Sequence, residues 1–245
     1  MNRTLLVLAV VVVAGAGLVG WLYFAGGSGE PTVSLTTPTI ATTTTTEGSS
    51  GETSTTVGGA GETAFVIDQE QSQVRFELEE NLRGNPNQVV GFTNAVFGQV
   101  LVDPARPEAA QISEIVINAR TLMTDDENRD RAMRGPVILN SASDEFELIT
   151  FLPTAIEGLE GPIEVGDEVE FTVTGDLTIK GVTNETTFDV TATLVDGTTI
   201  QGLAESVVQR SDFEIGIPNV PGVANVSEDV TLILDFVAVV VAAEE

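Results

Sequence analysis

The side chains that most often run chemistry in proteins are missing from this chain. Its 245 residues include no histidine and no cysteine. Imidazole acid–base catalysis, thiol nucleophiles, thiolate metal sites and disulfides are therefore excluded. What remains is 37 acidic against 10 basic residues, a formal net charge of −27 at pH 7. Lys180 is the one lysine; the other basic residues are arginines. A nucleic-acid partner needs a basic surface that releases phosphate counterions, and this charge balance argues against one. Acidity of this degree more often confers solubility and self-repulsion than a specific partner.

The acids themselves make poor sites. Asp126-Glu127-Asn128-Arg129-Asp130 begins like a calcium loop, but Arg131 stands where the turn glycine belongs and Val137 where the bidentate glutamate belongs. Adjacent pairs such as Asp144/Glu145 and Asp167/Glu168 fall in turns. They lack the unequal environments that split two carboxyl pKa values for catalysis. No metal, no resident cofactor and no enzymatic activity are expected. The arginines leave two readings open. Arg129, Arg131 and Arg134 cluster on one segment and Arg210 ends another. They either pair with the surplus acids or, for Arg129 and Arg210, hold an anionic or carbonyl head group of a ligand.

The elements that would position such a site are strands. Over residues 171–194 two runs of strict alternation flank a turn expected at residues 180–186. Phe171, Val173, Leu177 and Ile179 share one face of the first run; Phe188, Val190, Ala192 and Leu194 share one face of the second. A period of two means strands with one dry and one wet face, and the opposing threonines suit a pleated surface that meets water. Similar alternation marks residues 65–78, with Phe76, then 92–103, 111–120, 147–156, 200–210 and 230–241. Gly84-Asn85-Pro86-Asn87 reads as a turn. About eight antiparallel strands at short spacing point to an all-β sandwich or up-and-down barrel. One short α-helix is inserted: Thr124 is the expected N-cap of a capping box with Glu127, arginines fill the last turn, and Gly135-Pro136 stops it after about three turns. Phe76, Phe97, Phe151, Phe171, Val173, Leu177, Ile179, Phe188, Val190, Phe213 and Phe236 either line a ligand cavity or fill a solid core. Periodicity does not separate the two, and a barrel of about eight strands is wide enough for either.

Ahead of the strands lie two segments of other kinds. Residues 5–24 carry no charge and follow Arg3. At about 1.5 Å per residue they span a hydrocarbon core of roughly 30 Å. Residues 1–24 are thus expected to be a membrane anchor with a cytoplasmic N-terminus, or else a signal peptide cleaved near Ala14-Gly15-Ala16. Residues 25–63 are rich in Gly, Ser and Thr and read as a disordered stalk. The β domain is expected at residues 64–245. It would sit on the extracytoplasmic side of the cell membrane, or be secreted or periplasmic after cleavage.

From about residue 65 onward the chain resembles the YceI-like polyisoprenoid-binding family. Val66-Ile67-Asp68 with Ser72, Val74 and Phe76 is similar to that family's first strand. Gly91-Phe92 with Gly98 resembles its next segment, and Arg129-Asp130 its helical motif. Gly175-Asp176-Leu177-Thr178-Ile179-Lys180-Gly181-Val182-Thr183 is the most specific match, followed by Arg210-Ser211-Asp212-Phe213 and Asp229-Val230. The resemblance implies a lipocalin-like barrel that binds an isoprenoid lipid, such as a polyprenyl chain or isoprenoid quinone, in its apolar interior. The sequence departs from the family at Glu79-Glu80-Asn81, where many members carry a histidine, and at Glu214, where a glycine is usual. The alternative reading is a ligand-free cell-surface interaction or stress-related module, and a homodimer stays open under both.

Overall fold

A computed structural model describes residues 61–240. The anchor expected at residues 1–24, and the stalk at 25–63 apart from its last residues, lie outside that range. Among the described residues no helix is long and apolar enough to cross a membrane.

The alternating segments form strands β1 (Thr63–Ile67), β2 (Gln73–Leu82), β3 (Asn85–Thr93), β4 (Val96–Phe97), β5 (Gln99–Val102), β6 (Gln111–Ile112), β7 (Ile115–Asn118), β8 (Leu148–Glu157), β9 (Glu168–Ile179), β10 (Val182–Asp196), β11 (Thr199–Gln209), β12 (Val223–Ala224) and β13 (Asp229–Val240). Strands β8, β9, β10, β11 and β13 make one antiparallel series. The far edge of β13 is shared, β2 pairing with its first half and β1 with its end. β1 and β2 therefore act as one broken strand. Ser72 mends the break: its hydroxyl donates to the Val237 carbonyl at 3.2 Å and accepts from the Val237 N–H at 3.0 Å.

The partners of that broken strand are β5 and β3. Between them β4 pairs with β7, and β5 pairs with β6, while β7 runs on to β8. The pairing thus returns to its start, and the sheet curls into a barrel. Counting β1 with β2, β3 with β4 and β5, and β6 with β7, the described residues form eight antiparallel staves around the interior, in line with the about eight strands that the alternation predicts.

Three local expectations are corrected. The turn predicted over residues 180–186 is only Lys180-Gly181, both at positive φ (53° and 77°), so Val182 is already in β10. A two-residue turn of this hand matches the twist of the strands it joins. Arg83-Gly84 makes the equivalent turn between β2 and β3 (φ 53° and 84°), and Asn85-Pro86-Asn87 belong to β3. Pro86 is tolerated because β3 at that point pairs with β2 alone, leaving its other edge free of a ladder. The strand predicted over 111–120 stops at Asn118, whose side chain accepts from the Arg120 N–H and turns Ala119–Thr121 into a 3-10 turn.

The helix, α1 (Glu127–Arg134), spans 8 residues, just over two turns rather than three. Its N-cap is Asp126, not Thr124: the Asp126 carboxylate accepts from the N–H groups of Asn128 at 2.7 Å and Arg129 at 3.2 Å. These bonds, the Asn128 one foremost, hold the carboxyl below its usual pKa. Thr124 instead donates, through backbone and hydroxyl at 2.7 Å each, to the buried Asp130. Gly135 ends the helix as expected, its N–H bonded to the Ala132 carbonyl at 3.0 Å.

Candidate ligand-binding cavity

Strand alternation sends one face of each stave inward, and the inward residues leave a cavity of about 240 Å³ between them. That exceeds the roughly 150 Å³ at which an apolar protein cavity already admits benzene. Among the described residues, Arg75 and Thr193 are the only lining residues with polar side chains. Val74 and Phe76 also line the cavity. Alternation therefore puts the Arg75 guanidinium on the opposite face, where it is held by Asp235 of β13 and lies 3.9 Å from Glu77.

Most of the predicted wall is here. Phe76, Phe151, Phe171, Val173, Leu177, Ile179, Phe188, Val190 and Phe236 all line the cavity. Phe151 and Phe188 meet edge to face, centroids 5.0 Å apart, a favoured aromatic geometry. Three rings lie over glycines on a neighbouring strand, Phe76, Phe236 and Phe151, the last over Gly175. Gly91 is directly opposite Phe76 and Gly202 opposite Phe236. A Cβ on Gly91 would sit 2.1 Å from the Phe76 ring, and one on Gly202 2.7 Å from that of Phe236. Glycine lets each ring rest against the wall, and the middle of the barrel stays open.

The other four predicted site residues lie elsewhere. Phe97 is opposite Val116 on β7 and does not line the cavity. Phe213 is buried in the 3-10 turn Arg210–Phe213, packed behind the wall. Arg129 bonds the buried Glu80 at 3.1 Å and also Asp125, and Arg210 pairs with Glu228 at 2.5 Å while donating to the carbonyls of Ser227 and Ile215 at 3.1 Å each. Neither arginine lines the cavity. Glu214, at φ 53° in the left-handed region, follows this turn and explains why glycine suits that position.

The two ends of the cavity differ. At one end, Met133 of α1, Leu139, Ala119 and Phe213 are buried behind the lining residues and seal it. Lys180 ties the β9–β10 turn onto this cap through the Val137 and Glu214 carbonyls at 3.2 and 3.4 Å. Beneath lies a polar cluster that sequence reading missed. Arg120, 6% exposed, donates to Glu147 at 2.9 Å, to Asp144 at 2.6 Å, and to the Ser141 and Ala142 carbonyls, while Asn118 bonds Glu147 at 2.9 Å. The available signal was a lone cation next to the apolar run Ile115-Val116-Ile117.

At the opposite end the cavity is bounded by the loop of residues 158–167. Leu159 and Ile163 line the cavity and are only half-buried, in a loop that is otherwise exposed. The loop is pinned by Ile163 N–H to the Pro104 carbonyl and Gly166 N–H to the Leu194 carbonyl, both 2.8 Å. β1 starts beside it, Thr63 opposite Val102, so the chain enters the barrel at this end. Among the described residues no cluster of acids is placed to hold a metal ion.

Such an antiparallel barrel, sealed at one end and apolar within, defines a lipocalin-like class of protein. The match is also specific by sequence: the YceI-like domain covers residues 65–238, and the chain belongs to that family. Two solved structures share the fold. The crystal structure of Burkholderia cenocepacia BcnA superposes with a TM-score of 0.55 at 22% identity, over 70% of this chain and 98% of that one. A polyisoprenoid binding domain from Saccharophagus degradans, implicated in plant cell wall breakdown, superposes with a TM-score of 0.57 at 14% identity, over 73% and 99%. No curated protein matches the chain by sequence.

Proposed function

We propose that this protein binds or carries an isoprenoid lipid, a polyprenyl chain or isoprenoid quinone, inside an extracytoplasmic barrel. The observation that carries the proposal is the apolar cavity itself, packed shut at the α1 end; its proposed mouth is the end bounded by residues 158–167. A tail inserted there gains about 25 cal/mol for each Å² of apolar surface removed from water, without needing any specific polar contact. Family membership and the fold shared with a polyisoprenoid binding domain support the same reading. A ligand-free surface module would be served as well by a filled core, and the cavity weighs against it.

Binding, not catalysis, is the proposed role. Residues 5–24 would anchor the protein, and a stalk up to residue 63 would hold the barrel outside the membrane. Because the chain enters the barrel beside the mouth, the stalk would keep the mouth within reach of the lipid source. Lipid extraction and native mass spectrometry of the full-length protein purified in detergent test the proposal. Co-purified or exogenously loaded polyprenyl lipid, one molecule per barrel, is the expected result. A barrel that carries none and takes up none sinks it.

A further inference from the structure

We infer that the cavity selects isoprenoid lipids whose head group is uncharged, a polyprenol or a quinone, and turns away those ending in phosphate or diphosphate. The inference rests on the proposed lipid binding and adds the chemical class of the head group. It follows from where the cations are. A phosphate taken into the cavity would lose its water and find no partner. Thr193 is neutral, and Arg75, on the opposite face, is already bound by Asp235. Burying an ion without a counter-charge is among the costliest changes a protein site can impose.

The sealed end offers no better place. Arg129 is neutralised by Glu80 and Asp125, and Arg210 by Glu228. Lys180 and Arg134, bonded to backbone carbonyls, do not line the cavity. Arg129 and Arg210 are the two arginines for which the sequence left a head-group role open beside pairing with acids, and both are committed to carboxylates off the wall. A head group left at the mouth meets the reverse of an anion site. Glu157, Glu160, Glu164, Asp167 and Glu168 are all exposed on or beside the mouth loop. Arg106 is the one cation in this region among the described residues, and it is paired with Asp103 at 3.0 Å. Acids gathered at an opening repel an anion from the position that an uncharged alcohol or quinone ring occupies freely. The hydrogen bond from the Glu164 N–H to Asp167, 2.9 Å, holds one of these carboxylates in place on the loop.

The test presents the full-length protein in detergent with an equimolar mixture of a polyprenol, its monophosphate and its diphosphate, all of one tail length. The protein is then re-isolated and its bound lipid quantified by mass spectrometry. The alcohol is expected to exceed either phosphate by about tenfold or more at physiological ionic strength, where like charges within about 8 Å still repel. Equal capture, or preference for a phosphate, overturns the inference while leaving lipid binding intact. Capture of none of the three overturns the lipid reading itself. In the triple variant Glu160→Gln, Glu164→Gln, Asp167→Asn the phosphate share should rise severalfold. An unchanged ratio would overturn the assignment of selection to the mouth.

Discussion

The sealed end of this barrel is built from α1 and 3-10 turns and its middle from strands, and the two follow opposite principles. At the sealed end, buried charges are satisfied one by one: Arg120 with Glu147 and Asp144, Glu80 with Arg129, Asp130 with Thr124. Each bond has a direction and a length, and removing one partner leaves another stranded. The cavity wall carries almost no polar side chain, and dispersion contacts have no preferred direction. The first arrangement keeps one geometry; the second accepts many shapes of apolar chain. Rigidity is thus placed where the barrel must close and permissiveness where it must receive.

Substitutions at four positions separate the two regions. The largest effect on stability should come from Arg120→Met, which removes the counter-charge of the buried Glu147 and leaves its bond from Asn118 in place. A loss of about 3–5 kcal/mol is expected in chemical denaturation, with lipid uptake preserved below the new midpoint. Loss of uptake without loss of stability would break the distinction between the regions. Next, Ala204→Phe places a ring in the cavity from β11, where Ala204 is part of the wall. Stability should change by no more than about 1 kcal/mol, since cavity filling is commonly neutral or favourable. Uptake of a polyprenyl lipid should collapse in the same native mass spectrometry assay.

Gly91→Ala is a milder version of that experiment. The nearest atoms to the new Cβ belong to the Phe76 ring, at 2.1 Å, so the ring must swing inward. It should cost about 1–2 kcal/mol and weaken uptake in proportion to how far the ring intrudes. A crystal structure showing Phe76 still flat on the wall would refute the account of how the cavity stays open.

The smallest effect concerns the α1 cap. Asp126→Ala should cost about 1 kcal/mol. Because the native carboxyl lies below the usual value of 3.8, the unfolded chain takes up the proton first. The stabilisation is therefore complete above 3.8 and is lost as pH falls through the lower native value. Asp126→Asn should keep most of the cap and lose this acid dependence, which the amide resonances of Asn128 and Arg129 would report. Ligand uptake should be the same in all three proteins.

Much of the wall was legible because alternation is a local property. Val173, Leu177 and Ile179 face the cavity for the same reason that Thr172, Thr174 and Thr178 do not: neighbouring side chains on a strand point opposite ways. Where the reading failed, the deciding contact lay far along the chain. Phe97 alternates correctly within β4, but its face is set by pairing with Val116 on β7. Arg129 and Arg210 looked available because Glu80 lies 49 residues from the first and Glu228 pairs across a loop from the second. Arg120 looked ordinary because its partners come from residues 141–147.

By itself the amino-acid sequence determined the chemistry this protein lacks, the two-residue period of its strands and the motif that places it in its family. Those are properties of residue type and of neighbours in the chain. Only the tertiary structure decided that the aromatic faces surround a cavity rather than fill a core, that one end is sealed, and that its arginines are already engaged. Whether inward side chains meet in the middle depends on barrel width and on the glycines beneath Phe76 and Phe236. Those distances exist only once strands remote in sequence have paired.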